Sequence, residues 1–423
     1  MKFTVKILLI CLSFLSMSCR QQAERKVTIT FWAMGAEGET VQKLVPAFEN
    51  LNPGIHVKIQ MIPWTTAQEK LITAYASGNT PDGCQLGNTW VPQFEALNSL
   101  ENLDKWIKSS NVIQKDKYFP GIWDTNVLRG STFGIPWYID TRLLFYRTDI
   151  LARAGYKNPP QTWAELYDVS KKIKALAGES GRFAIYLPTS NEWAPFIIFG
   201  LQNGSDILKD NGRYGDFSNI KFREAFEYLI KFHKEGLSPV GISQVTNVYQ
   251  AFRDGYFAMY ISGPWNIREF EKWMTGPLKD KWMTAALPSP TGNKPGLSLA
   301  GGSSLVIFKE SPHKKEVWKF FEYLSSTQVQ LRFYKEINDL PALKEAWHDS
   351  SITGNKYMKA FFIQFQNVVA TPKVPEWEEI VFSKVQQYAE LAARNVMPES
   401  QALKALDHDV DNILEKRRWL LSR

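Results

Sequence analysis

KVTITFWAMGAEGETVQKLVPAFENLNPGIHVKIQMI (residues 26–62) reads as strand, helix and strand in succession. Val27, Ile29 and Phe31 alternate with other residues, as do Val57, Ile59 and Met61, the two-residue period of strands with one face on a core. Between them Val41, Leu44, Val45 and Phe48 recur at helical spacing, and Asn52-Pro53-Gly54 stops the helix. This order is a βαβ unit, so the chain opens as an α/β fold.

The pattern continues outward. TTAQEKLITAYASG (65–78) carries Thr65-x-x-Gln68 and Thr66-x-x-Glu69, and QTWAELYDVSKKIKAL (161–176) carries Thr162-x-x-Glu165; each is a capping box that satisfies orphan amides at a helix start. Further helices are expected over 218–233, 312–324, 327–336, 356–365, 375–393 and 399–419, with strand-like runs LLFYR (143–147), YFAMYIS (256–262) and SLVIF (304–308) between them. At 423 residues the chain suits two to three domains, each with its own core. No repeat and no Pro/Gly-rich linker separates them, which points to several interlaced crossings rather than one connection.

The first 18 residues join Lys2 and Lys6 to an apolar run from Ile7 to Leu15 and then small residues, the pattern of an export signal and too short for a membrane span. LSMSC (15–19) resembles a bacterial lipobox, in which Cys19 becomes the lipidated first residue; ordinary cleavage near Ser18 is the alternative. Residues 19–26 then form a polar tether, and the expected location is the periplasm or cell surface of a bacterium, anchored through Cys19. Of three cysteines Cys11 leaves with the signal and Cys84 stands alone, which excludes a disulfide framework. Net charge is +7, and losing Lys2 and Lys6 lowers it by two, to +5, with no basic run dense enough for nucleic acid.

Catalytic and cofactor signatures are missing: G-x-S-x-G, G-x-x-x-x-G-K-[ST], H-E-x-x-H and C-x-x-C do not occur, and five scattered histidines have no metal partner at helical spacing. DHDVDN (407–412) opens like a calcium loop but has Asn412 where Gly is required and Arg418 where a Glu is required; its aspartates read as the wet face of an amphipathic helix. The chain is instead rich in rings, with 15 Trp, 16 Tyr and 26 Phe. Trp32, Trp64, Trp90, Trp137, Trp193 and Trp265 fall at strand ends and turns, where an indole either packs in a core or meets a flat apolar face such as that of a sugar.

At this point the sequence resembles a family, the extracellular solute-binding proteins of ABC importers, in the group of maltose-binding-protein-like sugar binders. The resemblance runs from about Val27 to the C-terminus and is carried by ITFWAMG, FENLNPGIHVKI, ASGNTPDGCQLGNTWVPQFEALNSLENL, GIPWYIDTRLLFYRTDILARAGYKNPPQTWAEL, AMYISGPW, LAGGSSLVIFKESPHKKEVWKFFEYLSSTQVQ and DLPALKEAW, in that order. It implies a two-lobed α/β body with a ligand cleft between the lobes and closure by hinge bending. By that likeness lobe 1 comprises residues 27–138 and 303–350 and lobe 2 residues 139–302 and 351–423, with crossings near 138–141, 299–303 and 350–356.

Carried over by position, the resemblance places Glu37, Asn88 and Trp90 in loops turned toward ligand, Tyr138 and Asp140 at the first crossing with Arg142 just beyond, and Trp265 where the family projects an aromatic ring onto the sugar. Gly301, Gly302 and Ser303 match another crossing, and Trp64 and Trp193 are further ring candidates. Glu37 reads equally as compensation for a helix N-terminus, and the glycines equally as a hinge or turn requirement. Arg147-Thr148 departs from the Asn-Lys pair common in the family. The expected function is a monomeric, lipid-anchored, non-enzymatic receptor that needs no cofactor or metal. It takes a sugar or small oligosaccharide and passes it to permease subunits. The alternatives are a secreted carbohydrate-active hydrolase and a receptor for another solute, such as a polyamine or phosphate ester.

Overall fold

In the computed structural model, which describes residues 26–178, 180–240 and 245–422, the opening segment forms β1 (Val27–Met34), α1 (Gly35–Leu51) and β2 (Ile55–Ile62), with β1 and β2 parallel and in register from Val27 opposite Ile55 to Met34 opposite Ile62. Ile29, Phe31, Val57 and the α1 residues Val41, Leu44 and Phe48 are buried together, as the alternation requires. Met61 departs from the pattern and is exposed, because the face it shares with Ile59 runs out of core at the end of β2.

Along the chain follow α2 (Trp64–Ala76), β3 (Gly83–Gly87), β4 (Ile135–Asp140), β5 (Leu143–Arg147), α3 (Trp163–Ala177), β6 (Ile185–Tyr186) and α4 (Ile220–Lys234). Then come β7 (Met259–Ser262), β8 (Trp282–Ala285), β9 (Ser298–Leu299), β10 (Gly301–Ile307), α5 (Thr327–Ile337), β11 (Leu340–Pro341) and β12 (Val368–Val369). All of these strands but β9 and β12 form two sheets, of order β11-β4-β10-β3-β1-β2 and β8-β5-β7-β6, flanked by helices, which is the two-lobed α/β architecture. β4 and β5 are consecutive yet belong to different sheets, so the chain passes between lobes within Thr141 and Arg142. It passes again from β9, at 298–299, into β10 of the first sheet, and β9 pairs in parallel with β12.

These crossings are stitched side by side. The Thr141 hydroxyl donates to the Leu299 carbonyl at 2.8 Å, the Ser298 hydroxyl donates to the Arg142 carbonyl at 2.8 Å, and the Ala300 amide donates to the Val369 carbonyl at 2.8 Å. A continuous apolar core links Phe31, Phe320 and Phe321 in the first lobe to Phe145, Phe270 and Trp282 in the second, and Trp282 stacks on Tyr357 at 3.8 Å. A second core fills the far lobe around Phe196, Phe226 and Trp377.

Helix starts separate the two kinds of signal. At α3 the box forms, with Thr162 Oγ accepting from the Glu165 amide at 3.0 Å and Glu165 accepting in return. At α2 neither box forms: the helix begins earlier, at Trp64 after the extended Pro63, without a side-chain cap, and Gln68 instead donates to Gln93 at 2.7 Å. The helix expected over 375–393 contains a π segment, Ile380–Val385, and the one expected over 399–419 breaks at Leu414 into Glu399–Ile413 and Glu415–Leu421. Asp407 and Asp411 are not simply solvated, since they accept the backbone amides of Phe217, Ser218 and Gly215 and pin that loop to the helix.

Candidate ligand-binding cleft

β1 and β3 are neighbouring parallel strands, and both deliver their carboxyl ends to one cleft, the usual place for a site in an open α/β sheet. From β1 the chain turns through Gly35 into α1, which sets Glu37 in the first helical turn; from β3 it turns directly into Asn88–Trp90. The cleft encloses about 1460 Å³, above the usual few hundred to ~1,000 Å³ of a small-molecule pocket. Its lining brings together Glu37, Trp64, Asn88, Trp90, Tyr138, Asp140, Trp193, Trp265, Gly301 and Gly302, which are dispersed over 266 positions of sequence.

The floor is a fixed polar network. The buried Tyr138 hydroxyl donates to Glu37 Oε1 at 2.6 Å and accepts from the Ser303 hydroxyl at 2.9 Å and Gln85 Nε2 at 3.2 Å. Gln85 is held in turn by the Met34 amide, 2.8 Å from its Oε1. Trp64 Nε1 donates to Glu37 at 3.2 Å, and its ring meets Trp90 edge-on at 5.5 Å. Glu37 therefore stands at the helix N-terminus and is also the hub of the floor. Burial, followed by the charges of Glu37 and Asp339, pushes the Tyr138 phenol well above its usual range, so it stays a donor.

A second cluster lies at the first crossing. Arg142 Nη1 lies 3.0 Å from Asp140 Oδ1, and Arg142 Nε lies 3.4 Å from Glu192 Oε2. Burial alone would lower the guanidinium, but Glu192 and Asp140 outweigh it and raise it further. Asp140 stays above the ordinary carboxylate value because burial exceeds the hold of Arg142, which it shares with Glu192. The Trp265 indole, 46% exposed, lies over Arg142 with 4.8 Å from the guanidinium carbon to the ring centroid. One face of the ring is thus backed by a cation. A Cβ on Gly263 would strike that indole at 2.0 Å, so the turn before it requires glycine.

Other expected residues take less direct places. Asn88 commits its amide to the Ala300 carbonyl at 2.7 Å, tying the β3 loop to the second crossing. Trp193 is nearly buried, edge-on to Trp377 at 5.9 Å and Phe382 at 6.2 Å, and only its margin reaches the cleft. Gly301 and Gly302 line the cleft, but their lack of side chain serves strand contact: a Cβ would meet Asp140 Oδ1 at 2.1 Å or the Tyr138 carbonyl at 2.2 Å, and Gly302 has φ +117°. Ser303 is not at the surface; it is buried behind Tyr138, where the register of β10 against β4 shifts. Cys19, with the signal and almost the whole tether, lies outside the described residues.

Residues that sequence reasoning did not select complete the wall. Asp339, at the end of α5, and Phe382, in the π turn, both line the cleft, as do Glu376, Glu378 and Glu379 just before that turn. Burial raises Glu378 above its ordinary value, with the Thr89 hydroxyl holding it back. Seven carboxyl side chains line the cleft against two bases, Arg142 and Lys416, in a chain of net charge +7. Local charge of this kind is invisible to composition, since only folding gathers it. Among the described residues no group of three or more His, Cys, Asp or Glu side chains is placed to hold a metal ion, and no helix is long and apolar enough to cross a membrane.

The family model described as bacterial extracellular solute-binding protein matches residues 33–331. The sugar-binding protein MalE from the phytopathogen Xanthomonas citri has a structure similar to this one, with a TM-score of 0.90 and 45% identity over 94% of this chain and 100% of that one. The maltooligosaccharide ABC transporter solute-binding lipoprotein of Streptococcus pneumoniae is 24% identical across 80% of this chain and 78% of its own. The diacetylchitobiose binding protein DasA of Streptomyces coelicolor is 25% identical across 84% and 81%.

Proposed function

The chain belongs to the bacterial extracellular solute-binding protein family, and on that premise we propose that it captures a sugar or short oligosaccharide between its lobes and delivers it to the permease of an ABC importer. The observation that carries the reading is the composition of the cleft: three tryptophan rings, Trp64, Trp90 and Trp265, around a floor of fixed carboxylate, amide and phenol groups. A pyranose presents flat C–H faces that rings cover and hydroxyls that planar polar groups pair with, so one cleft supplies both needs. Relatives named for maltooligosaccharide and diacetylchitobiose support the sugar class.

In this reading Trp265, Trp64 and Trp90 stack on rings of the ligand, Glu37 and Asp140 accept from hydroxyls, and Tyr138 and Asn88 hold the walls in place. The two lobes, whose crossings run through Thr141 and Arg142 and through Ala300 rather than beginning at residues 138–139 and 302–303, close over the ligand by bending there. The protein works as a monomer without a cofactor and leaves its ligand chemically unchanged; its family and its structural neighbours are solute-binding proteins. Cys19 carries the lipid that holds it at a bacterial membrane.

Calorimetry and thermal-shift screening across mono- and oligosaccharides test the reading. At least one neutral sugar is expected to bind and to raise the melting temperature; a screen without a binder refutes it, and release of hydrolysis products would favour the hydrolase instead. Metabolic labelling with a radiolabelled fatty acid, lost in Cys19→Ala, tests the anchor.

A further inference from the structure

Glu37, Asp140 and Asn88 are each tied to partners within the protein, but Asp339 is not. Its Oδ2 is shut off from water in the cleft wall and has no hydrogen-bond partner in the protein. The backbone fixes this placement. α5 ends on Asn338 in the left-handed conformation, φ 64°, and β11 then pairs Leu340 with Ile139 of β4, which sets Asp339 beside Asp140 at the sheet edge. The charged groups that bear on it are Glu37 and Asp140, both acidic, while Arg142 is already shared between Asp140 and Glu192. Burial and then these two neighbours raise the Asp339 carboxyl well above its ordinary value, which favours its protonated form. Glu376 also has an unpartnered oxygen, yet Arg417 and Lys416 bear on it; Asp339 has no such cation. Among the described residues no group of three or more His, Cys, Asp or Glu side chains, Asp339 included, is placed to hold a metal ion.

We infer that Asp339 is a specificity-determining residue of the cleft, a carboxyl group without a partner in the protein that exchanges a hydrogen bond with a hydroxyl of a neutral sugar and whose acidic surroundings reject sugars bearing a carboxylate or phosphate. The inference rests on the sugar reading and narrows its substrate class. A neutral hydroxyl both donates and accepts, so it satisfies a carboxyl in either protonation state, and a buried polar group left unpaired costs about 1–3 kcal/mol. An anionic group at the same place would face Glu37 and Asp140 with no free cation, which excludes it by repulsion.

The test is calorimetry on the full chain with maltose, maltotriose, lactose and diacetylchitobiose as neutral probes, and glucuronate and glucose 6-phosphate as anionic ones. Wild type is expected to bind at least one neutral probe and neither anion. Asp339→Asn, neutral and of equal size, is expected to keep the affinity within about threefold, whereas Asp339→Leu weakens it about tenfold or more. The melting temperature of ligand-free Asp339→Leu should be unchanged or higher, because an unsatisfied buried group has been removed. Asp339→Leu binding within twofold of wild type overturns the inference, as does equal binding of an anionic probe, or a lost affinity accompanied by a lowered melting temperature. Those outcomes leave the sugar reading intact; a wild type that binds no neutral probe removes both.

Discussion

Replacing Trp265 by Ala separates a ligand platform from a core side chain. In the ligand-free protein the indole is 46% exposed and its main polar neighbour is the Arg142 guanidinium at 4.8 Å, an interaction of ~0.5–1 kcal/mol at a partly wet site. Losing it, together with half a side chain of packing, should lower the melting temperature by only about 2–4 °C, on the scale of ~1 kcal/mol for a lobe of this size. With ligand bound, a sugar face stacked on the free side of the ring removes on the order of 100 Å² of apolar surface from water, about 2.5 kcal/mol at 25 cal/mol per Å². That corresponds to roughly 60-fold in Kd, and ordering costs bring the expected loss into the range of about tenfold to sixtyfold. Calorimetry with the sugar identified by screening, beside a thermal melt of the empty protein, measures both. A Kd within threefold of wild type, or a melting temperature depressed by much more than a few degrees, would refute the assignment and return Trp265 to a structural role.

Tyr138→Phe removes a hydroxyl from Glu37, Ser303 and Gln85 at once and should destabilise the protein by about 2 kcal/mol, read as a shift in urea midpoint, with weakened sugar binding because Glu37 is released. His233 is buried, which lowers it from 6.5 to about 4. The unfolded chain therefore takes up a proton below pH 6.5 while the folded protein does not until pH falls through about 4, so stability is lost across that window, by about 3 kcal/mol in full. In His233→Leu the loss of stability between pH 7 and pH 4.5, followed by urea unfolding, should shrink accordingly. Thr162→Ala opens the capping box of α3 and should cost about 1 kcal/mol in the same assay, whereas Thr66→Ala, whose box does not form, should cost little.

The contrast between Thr162 and Thr66 shows where local sequence stops being decisive. Both spacings are valid caps, but Pro63 already sets the chain direction before α2, and the earlier start at Trp64 places Thr66 inside the helix. The turn that carries Trp265 was legible because Gly263 and Pro264 mark a strand end, whereas Tyr138 was expected in the cleft only through the resemblance to the family. Asp339 was not legible: DLPALKEAW was read as a phrase, and nothing in it says that an aspartate after a left-handed Asn faces two other carboxyls. Arg142 was seen only as following Asp140, because its value lies in being shared with Glu192, 50 residues on, and stacked on Trp265.

By itself the sequence determined the local periods: the parallel βαβ opening, the helices and strands that follow, the missing linker, and an aromatic-rich chain without a catalytic signature. Those signals are short-range, written in spacings of two and of three to four residues. Only the tertiary structure decided which strands share a sheet, that Ser303 lies behind Tyr138 while Gly301 and Gly302 face the cleft, and that a basic chain gathers seven carboxyls around one cavity. The physical reason is that a side chain's charge state, exposure and partners are set by groups far away in sequence, which pattern alone does not bring together.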